Sequence, residues 1–189
     1  GTFGMVASTH WIASAVGMSV LEAGGNAVDA AAATGFVLQI VEPHLNGPGG
    51  EVPIIVGSPS GEVEVYAGQG WTPAAATIDA YRAMGLEQVP GSGLLAAVVP
   101  GAFGAWTLLL ERRGSMSLRS VLAPAIGYAR RGFPLLPRVV DTIRIVEALF
   151  RDHWHTSAAQ YLPGGELPVA GQLMRNEALA ACYERIVDE

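Results

Sequence analysis

The sequence predicts an α+β chain that is rich in helix and has an incomplete sheet. Apolar residues recur at helical spacing over most of the chain, whereas one hairpin and one further candidate strand can be recognised. Two strands and a possible third are too few for a sheet that stands alone. We therefore expect the missing strands to come from another chain or from a segment beyond Glu189.

The composition indicates a folded chain with a sizeable core. Half of the residues (50%) are hydrophobic and only 15% are charged, which argues against disorder and suggests that a partner covers part of the surface. The net charge is −6, and no basic run longer than an arginine pair occurs, so we predict no nucleic-acid partner. Cys182 is the single cysteine and lies in an apolar-periodic segment, which predicts a small core residue.

No targeting or membrane segment is recognisable in this sequence. Residues 1–4 carry no basic side chain ahead of an apolar core, so we predict no signal peptide and favour the cytoplasm over the periplasm or secretion. The longest uncharged apolar run, residues 94–110, is interrupted by Pro100 and glycines. We therefore predict no membrane span.

The N-terminal segment predicts a strand followed by a helix. Residues 5–9 (MVAST) combine small and β-branched side chains, as a short buried strand does. Ser8 or Thr9 is placed to cap a helix over residues 10–22, and Gly24 with Gly25 predicts its end.

The next helix is unusually rich in alanine. Asn26 is a favourable N-cap, and Asp29 falls at the third helical position, where a carboxylate accepts hydrogen bonds from free backbone N–H groups. The helix extends to about Val41, because Pro43 prevents its continuation. Small side chains surround its N-terminal half, which predicts a buried helix with closely packed neighbours.

A hairpin and five further helices complete the pattern. Residues 52–56 and 62–66 predict two strands joined by a turn at residues 58–61. The segment 162–171 is rich in proline and glycine and predicts an irregular loop. The helices are predicted over residues 78–84, 101–113, 118–131, 138–151 and 176–187.

Several motifs, taken in order along the chain, resemble the γ-glutamyltranspeptidase family. They are GMVAS at residues 4–8, GGNAVDAA at 24–31, VEPH at 41–44, GPGG at 47–50, TPAAAT at 72–77, VPGAFGAW at 99–106, LAPAIGYARRGFPL at 122–135 and PGGELPVAGQLMRNEALAACYERI at 163–186. No single motif is decisive, but their shared order argues against chance similarity.

The resemblance implies an αββα sandwich of the N-terminal-nucleophile hydrolase type, with two stacked sheets between helical layers. Residues 1–189 would be the N-terminal portion of the large subunit, a single and incomplete domain. The family matures by autoprocessing into a heterodimer whose small subunit begins with the catalytic threonine. We therefore expect the chain alone to be inactive, and we assign no catalytic residue within it.

The resemblance also implies the reaction, which is cleavage of an amide through an acyl-threonine intermediate. A chain-terminal threonine carries the hydroxyl nucleophile and the amine base on one residue. The expected substrate is a small γ-glutamyl compound, as in glutathione metabolism, or another amide. The expected partner is the small subunit or downstream segment that carries the threonine, and neither a metal nor a cofactor is expected.

One position departs from the family pattern. The transpeptidases carry a carboxylate-binding arginine in an RETAP-like run, where this chain has GQGWTP at residues 68–73. Gln69 stands at the position of that arginine and is the candidate substrate-binding residue. A neutral amide makes a hydrogen bond about half as strong as a charge-assisted one, which predicts an acyl donor other than a γ-glutamyl group. The alternative role of Gln69 is that of a strand-end residue beside a glycine.

The remaining polar side chains favour structural roles. His153 and His155 are predicted at a helix end or in a loop, since no third metal ligand lies nearby. His44 is predicted to hydrogen-bond the loop backbone, and Glu42 to brace the glycine loop at residues 47–50. We expect that loop to approach another backbone closely, at a substrate pocket or a facing subunit.

Two other functions are open at this point. The first is a non-catalytic binding or assembly module of the same fold, which the glutamine at position 69 motivates. The second is an unrelated helical binding protein, which would be a stable monomer with no exposed apolar patch.

Overall fold

A computed structural model describes residues 2–189. Residue 1, part of the segment 1–4 for which no signal peptide is predicted, lies outside the described residues. The described chain forms α-helices, two short 3₁₀ turns and two antiparallel strand pairs, which confirms the helix-rich α+β pattern with an incomplete sheet. In chain order the elements are α1 (Trp11–Glu22), α2 (Ala27–Val41), β1 (Val52–Gly57), β2 (Val63–Gly68), α3 (Ile78–Ala83), α4 (Ala102–Arg113), α5 (Leu118–Arg131), β3 (Phe133–Pro134), α6 (Pro137–Asp152), α7 (His155–Tyr161), β4 (Leu173–Met174) and α8 (Glu177–Asp188).

The chain divides into two compact units. We call them the helical unit, which comprises the described chain up to Asn46 together with Leu110–Glu189, and the hairpin unit, Gly47–Leu109. The assignment of residues 1–189 to one incomplete domain stays a prediction. No helix within residues 2–189 combines the length and the apolarity that crossing a bilayer requires.

Close packing of α1 against α2 organises the helical unit. A Cβ at Gly17 of α1 would lie 2.2 Å from Oγ1 of Thr34 on α2, so a glycine is needed at this crossing. The alanines Ala30, Ala32 and Ala33 are at most 2% exposed. The predicted close packing is therefore confirmed. Burial all round the N-terminal half is not, because Ala27 and Ala31 lie on an exposed side of the helix.

Two further helices surround α2. Helix α5 contacts both α2 and α8. The hydroxyl of Tyr183 on α8 donates a hydrogen bond to Oε1 of Gln39 on α2, and both residues are buried. Burial raises the pKa of Tyr183, which therefore stays a neutral donor.

The start of α2 has the predicted capping geometry. Oδ1 of Asn26 accepts from the backbone N–H of Val28 at 2.8 Å and of Asp29 at 3.1 Å. In return the Asp29 carboxylate accepts from the Asn26 N–H at 2.8 Å, which completes a capping box.

Asp29 also binds a segment 86 residues away, which the sequence did not indicate. Its carboxylate accepts hydrogen bonds from the hydroxyl of Ser115 at 2.6 Å and from the backbone N–H of Met116 at 3.1 Å. The Ser115 N–H contacts both carboxylate oxygens, at 3.0 and 3.1 Å. Asp29 therefore fixes the link between α4 and α5 on the first turn of α2.

These hydrogen bonds determine the charge state of Asp29, which is fully buried. Burial alone would raise its pKa, but the Ser115 hydroxyl and the backbone N–H groups of Asn26, Met116 and Ser115 hold the pKa below its ordinary value of 3.8. The carboxylate is therefore ionised in the folded protein at neutral pH.

Two expectations for the N-terminal segment were wrong. Residues 5–9 form no strand, because no neighbouring segment in the described chain pairs with them. The N-cap of α1 is His10 rather than Ser8 or Thr9, and its Nδ1 accepts from the Ile12 N–H at 3.1 Å. The two hydroxyls are used elsewhere, since Ser8 donates to the His10 carbonyl and Thr9 donates to the Glu42 carboxylate.

Cys182 is exposed, so its prediction as a core residue was also wrong. Ala180 and Tyr183 form the buried face of α8, and Cys182 lies on the other side of the helix. Apolar residues occur around much of α8, so spacing alone did not identify the face that packs against the core.

The sequence also gave no indication of α7 or of the pair β3–β4. Phe133 pairs with Met174, and Pro134 pairs with Leu173. Each strand has only two residues, too few for a period-two pattern to be recognised.

We predict that Asp29→Asn lowers the free energy of unfolding by about 3 kcal/mol at pH 7. The amide cannot accept from all of the donors around it, and some stay buried without partners. Because the folded pKa of Asp29 is depressed, its contribution is present above the unfolded pKa and is lost as the pH falls through the folded pKa. The difference between wild type and variant should therefore shrink below about pH 4 in urea titrations at several pH values.

The matched control is Asp79→Asn, since Asp79 is an exposed acid in the first turn of α3. Asp79→Asn removes only a solvent-screened interaction with the helix dipole, so the free energy of unfolding should fall by about 0.5 kcal/mol. Equal losses for the two variants would contradict the role that we assign to Asp29.

Candidate functional site

Gln69 directly follows β2, at the open end of the hairpin. Strands β1 and β2 pair in antiparallel register from Val52 with Gly68 to Gly57 with Val63. The structure confirms the predicted hairpin, although β1 ends one residue later than predicted and β2 begins one residue later and ends two residues later. Gln69 is exposed, so its amide is free to meet a ligand.

A close main-chain crossing fixes the backbone on both sides of Gln69. A Cβ at Gly70 would lie 1.4 Å from the Val99 carbonyl oxygen, and one at Gly68 would lie 2.2 Å from the Val52 carbonyl oxygen. On the facing segment, a Cβ at Gly101 would lie 2.5 Å from the Gly68 carbonyl oxygen. No side chain fits at any of these three positions, and we call the contact the glycine crossing.

Hydrogen bonds hold the same segments together. The Val99 N–H donates to the Trp71 carbonyl at 2.9 Å. The Gly50 carbonyl accepts from the N–H groups of Gly101 at 3.2 Å and Ala102 at 3.0 Å, which are free donors at the start of α4. The glycine loop, the segment around Gln69 and the start of α4 therefore meet within the hairpin unit.

The close backbone approach predicted for the glycine loop occurs at its last residue, where the Gly50 carbonyl meets the N–H groups of Gly101 and Ala102. A Cβ at Gly47 or Gly49 would meet no atom within 4 Å. Whether the loop lies beside a substrate pocket or a facing subunit stays a prediction.

The site has little charge of its own. The segments 47–50, 68–71 and 99–102 contain no ionisable side chain, and Arg82 is the single cation in the sequence of the hairpin unit. The same unit contains five acids, Glu51, Glu62, Glu64, Asp79 and Glu87. The local groups can therefore donate and accept hydrogen bonds, but they do not supply acid–base chemistry or a carboxylate clamp.

One face of the hairpin is both apolar and exposed. Ile55 pairs with Val65, and these side chains are 74% and 69% exposed. Val63 on the same face is 65% exposed. A two-stranded sheet with such a face lacks the second layer that normally covers it. The exposed face also argues against the prediction made for an unrelated, self-contained helical protein.

Glu42 and Arg138 form a second polar cluster, in the helical unit. Glu42 is fully buried at the end of α2, forms an ion pair with Arg138 and accepts a hydrogen bond from the Thr9 hydroxyl. Its carbonyl accepts from the N–H groups of Leu45 at 3.0 Å and Asn46 at 3.3 Å. Glu42 therefore fixes the turn after α2, whereas its bracing of the glycine loop stays a prediction.

The histidines have the following places. Nδ1 of His44 is buried and has no hydrogen-bond partner among the described residues, so this atom does not make the predicted bond between His44 and the loop backbone. His153 caps the end of α6 and His155 begins α7, which confirms their helix-end roles. Among residues 2–189, no three histidine, cysteine, aspartate or glutamate side chains are grouped as metal ligands would be.

Sequence reasoning singled out Gln69 as a candidate, which stays a prediction, but it did not find the contacts that hold the backbone around this residue. The two sides of the glycine crossing are about thirty residues apart, and glycines also occur in ordinary turns. The VPG motif at residues 99–101 indicated the start of a helix. The same residues form the side of the glycine crossing that packs against residues 68–70.

The chain is similar in sequence to known proteins of one family. The family model described as Gamma-glutamyltranspeptidase matches residues 13–189. A glutathione hydrolase-like YwrD proenzyme from Bacillus subtilis is 34% identical over 192 residues, which cover 100% of this chain and 36% of the relative. The chain thus spans about a third of the length of this curated relative.

Solved structures agree with this match. The chain superposes on LmbA2991T421A with a TM-score of 0.96 and 55% identity, covering 100% of this chain and 32% of that one. It superposes on a cephalosporin acylase from Bacillus halodurans with a TM-score of 0.91 and 33% identity, covering 97% of this chain and 35% of that one. The fold expected from the motifs is confirmed.

We predict that Gly70→Ala lowers the free energy of unfolding of the hairpin unit by about 3 kcal/mol, because the added methyl group displaces the Val99 carbonyl. Gly104→Ala is the matched control. A Cβ at Gly104 meets nothing within 4 Å, and alanine favours the helix by about 0.5–1 kcal/mol. Hydrogen exchange at residues 63–71 measures both effects, and unchanged protection in Gly70→Ala would rule out a rigid crossing.

Proposed function

The chain belongs to the gamma-glutamyltranspeptidase family, and from that premise we propose that it forms the large-subunit part of an amidohydrolase or acyltransferase. Relatives of this chain include a proenzyme named glutathione hydrolase-like and a structure named cephalosporin acylase. Both names describe hydrolysis or transfer at an acyl group, which supports this reaction class for the full-length protein.

The proposed reaction uses a threonine that lies outside this chain, at the N-terminus of a small subunit formed by self-cleavage. Its α-amine takes the hydroxyl proton, and the oxygen attacks the substrate amide carbonyl. The C–N bond then breaks, the leaving amine takes the proton, and the acyl group stays on the threonine as an ester. Water or an acceptor amine attacks this ester and releases the acyl group.

Within this scheme Gln69 contacts the acyl donor. The observation that carries this role is an exposed, uncharged side chain whose backbone is fixed by the glycine crossing. A fixed backbone reduces the entropy that is lost when the amide orders around a ligand. Since no ionisable group lies in the adjoining segments, the site favours an acyl group without a free α-carboxylate over a γ-glutamyl group.

The partner in this scheme is the segment or subunit that carries the threonine. The apolar face of the hairpin at Ile55, Val63 and Val65 supports such a partner, because exposed apolar surface of this kind marks an interaction site. Strands from the partner would add the second sheet layer. The cytoplasmic location stays a prediction.

A second candidate function is a non-catalytic binding or assembly module of the same fold. It is motivated by the same neutral site, which lacks the arginine of the transpeptidases. The two candidates differ in one respect, since only the enzyme needs a new N-terminal threonine.

We predict that the full-length protein containing this chain cleaves itself during expression. Two fragments should separate on a denaturing gel, and N-terminal sequencing of the smaller one should begin with threonine. Substitution of that threonine by alanine should leave a single uncleaved chain. A full-length wild-type protein that stays intact would remove the support for the enzymatic function and favour the binding module.

We further predict that Gln69→Arg changes the choice of acyl donor. Two p-nitroanilides serve as substrates, one γ-glutamyl and one 4-aminobutyryl, which differ only in the α-carboxylate. An arginine supplies the charge-assisted bond that glutamine lacks, so kcat/KM for the γ-glutamyl compound should rise roughly tenfold relative to the other.

Gln88→Arg is the control for this experiment, because Gln88 is an exposed glutamine of the same unit and its substitution adds the same charge. It should leave the substrate ratio unchanged. If the ratio of kcat/KM for the two substrates stays constant in Gln69→Arg as well, Gln69 is excluded from the acyl-donor site. The proposed reaction class, amide hydrolysis or acyl transfer, would not be affected by that result.

A further inference from the structure

The N-cap of α1 is a titratable side chain in a buried position. Nδ1 of His10 accepts a hydrogen bond from the Ile12 N–H at 3.1 Å, which satisfies one of the free backbone donors of the first turn. The residue is only 1% exposed. The usual caps are serine, threonine, aspartate and asparagine, and none of these changes its charge between about pH 5 and pH 8. Histidine does, so this cap can respond to pH.

The hydrogen bond to Ile12 fixes where the imidazole carries its proton. Because Nδ1 is the acceptor, the single proton of the neutral ring is on Nε2. Nε2 is itself buried and has no hydrogen-bond partner among residues 2–189. A second proton would go to Nδ1 and would occupy the lone pair that the Ile12 N–H needs. The neutral ring can therefore cap α1, whereas the protonated ring cannot.

The charges around His10 also oppose its protonation. Arg138 of α6 donates to the carbonyl of the preceding residue, Thr9, at 2.8 Å, and its positive charge disfavours a second cation beside it. Glu42 at the end of α2 is the acid of this cluster, and it forms an ion pair with Arg138. The first turn of α1 contains no acid, and a helix N-terminus itself disfavours a cation. Burial, followed by the charge of Arg138, lowers the pKa of His10.

The segment that this cap fixes connects three helices. Residues 8–10 lie directly before α1, and the Thr9 hydroxyl donates to Glu42 at the end of α2. The Thr9 carbonyl accepts from Arg138 in the first turn of α6. The backbone of Thr9 is continuous with that of the cap, so a change of backbone conformation at His10 would disturb both contacts.

We propose that His10 is an acid-sensitive N-cap: its neutral ring keeps residues 8–10 bound to Glu42 and Arg138, and protonation of Nδ1 releases this segment. The folded pKa of His10 lies below its ordinary value of 6.5. The bound arrangement is therefore fully favoured above about pH 6.5 and loses stability as the pH falls toward the folded pKa. This response is independent of the amide chemistry proposed above.

Hydrogen exchange of the full-length protein at pH 7 and about pH 5.5 tests the proposal, with each rate divided by that of an unstructured peptide at the same pH. The Ile12 and Ser14 amides bind to His10, and their protection should fall roughly fivefold at the lower pH. Complete exclusion of the proton from the folded state would give about tenfold over this interval. The Leu179 amide is the internal reference, because its cap, Asn176, does not titrate.

His10→Asn is the matched variant, since asparagine is a favourable cap with one charge state and the substitution leaves Glu42 and Arg138 in place. The protection of the Ile12 amide should then be the same at both pH values. His153→Asn replaces an exposed histidine and should keep the wild-type response. A pH response that persists in His10→Asn would come from other groups, such as Glu42, and would overturn the role of His10.

If His10→Asn does not fold, the wild-type comparison decides. Unchanged protection of Ile12 at the lower pH, or equal losses at Ile12 and Leu179, would overturn the proposal. The same exchange can be measured in the full-length protein whether or not it cleaves itself. The outcome therefore stands apart from that of the enzymatic proposal.

Discussion

The glycine crossing is the constraint on which the candidate site depends. Carbonyl oxygens of Val52, Val99 and Gly68 occupy the space where side chains would stand at Gly68, Gly70 and Gly101. Backbone packed this closely has few alternative conformations, since any rotation brings non-bonded atoms together. The crossing therefore sets where the chain can place Gln69, while leaving the amide exposed.

Asp29 has a comparable role in the helical unit. It joins the first turn of α2 to the link between α4 and α5 through charged hydrogen bonds, in a fully buried position. Glu42 fixes the other end of α2 by its ion pair with Arg138. Both ends of the alanine-rich helix are thus held by buried carboxylates, and its small side chains allow α1 to approach closely.

Local structure could be predicted from the sequence because its causes are local. The capping box at Asn26, the hairpin turn and most helix boundaries depend on neighbours within a few residues. Contacts between residues far apart in the chain could not be predicted. Examples are the hydrogen bond from Ser115 to Asp29 and the close approach of the Val99 carbonyl to Gly70. Gln69 became a candidate through a sequence motif. The position of its backbone depends on the glycine crossing, which no sequence motif indicates.

The central claim is that Gln69 contacts the acyl group in a site without a carboxylate-binding cation. A crystal structure of the full-length protein with its acyl-enzyme trapped would test this most directly. The account predicts the Gln69 amide within hydrogen-bond distance, about 3 Å, of the bound acyl group and no arginine or lysine on that group. A Gln69 side chain turned away from the acyl group, or a guanidinium from elsewhere in the protein bound to an α-carboxylate, would contradict it.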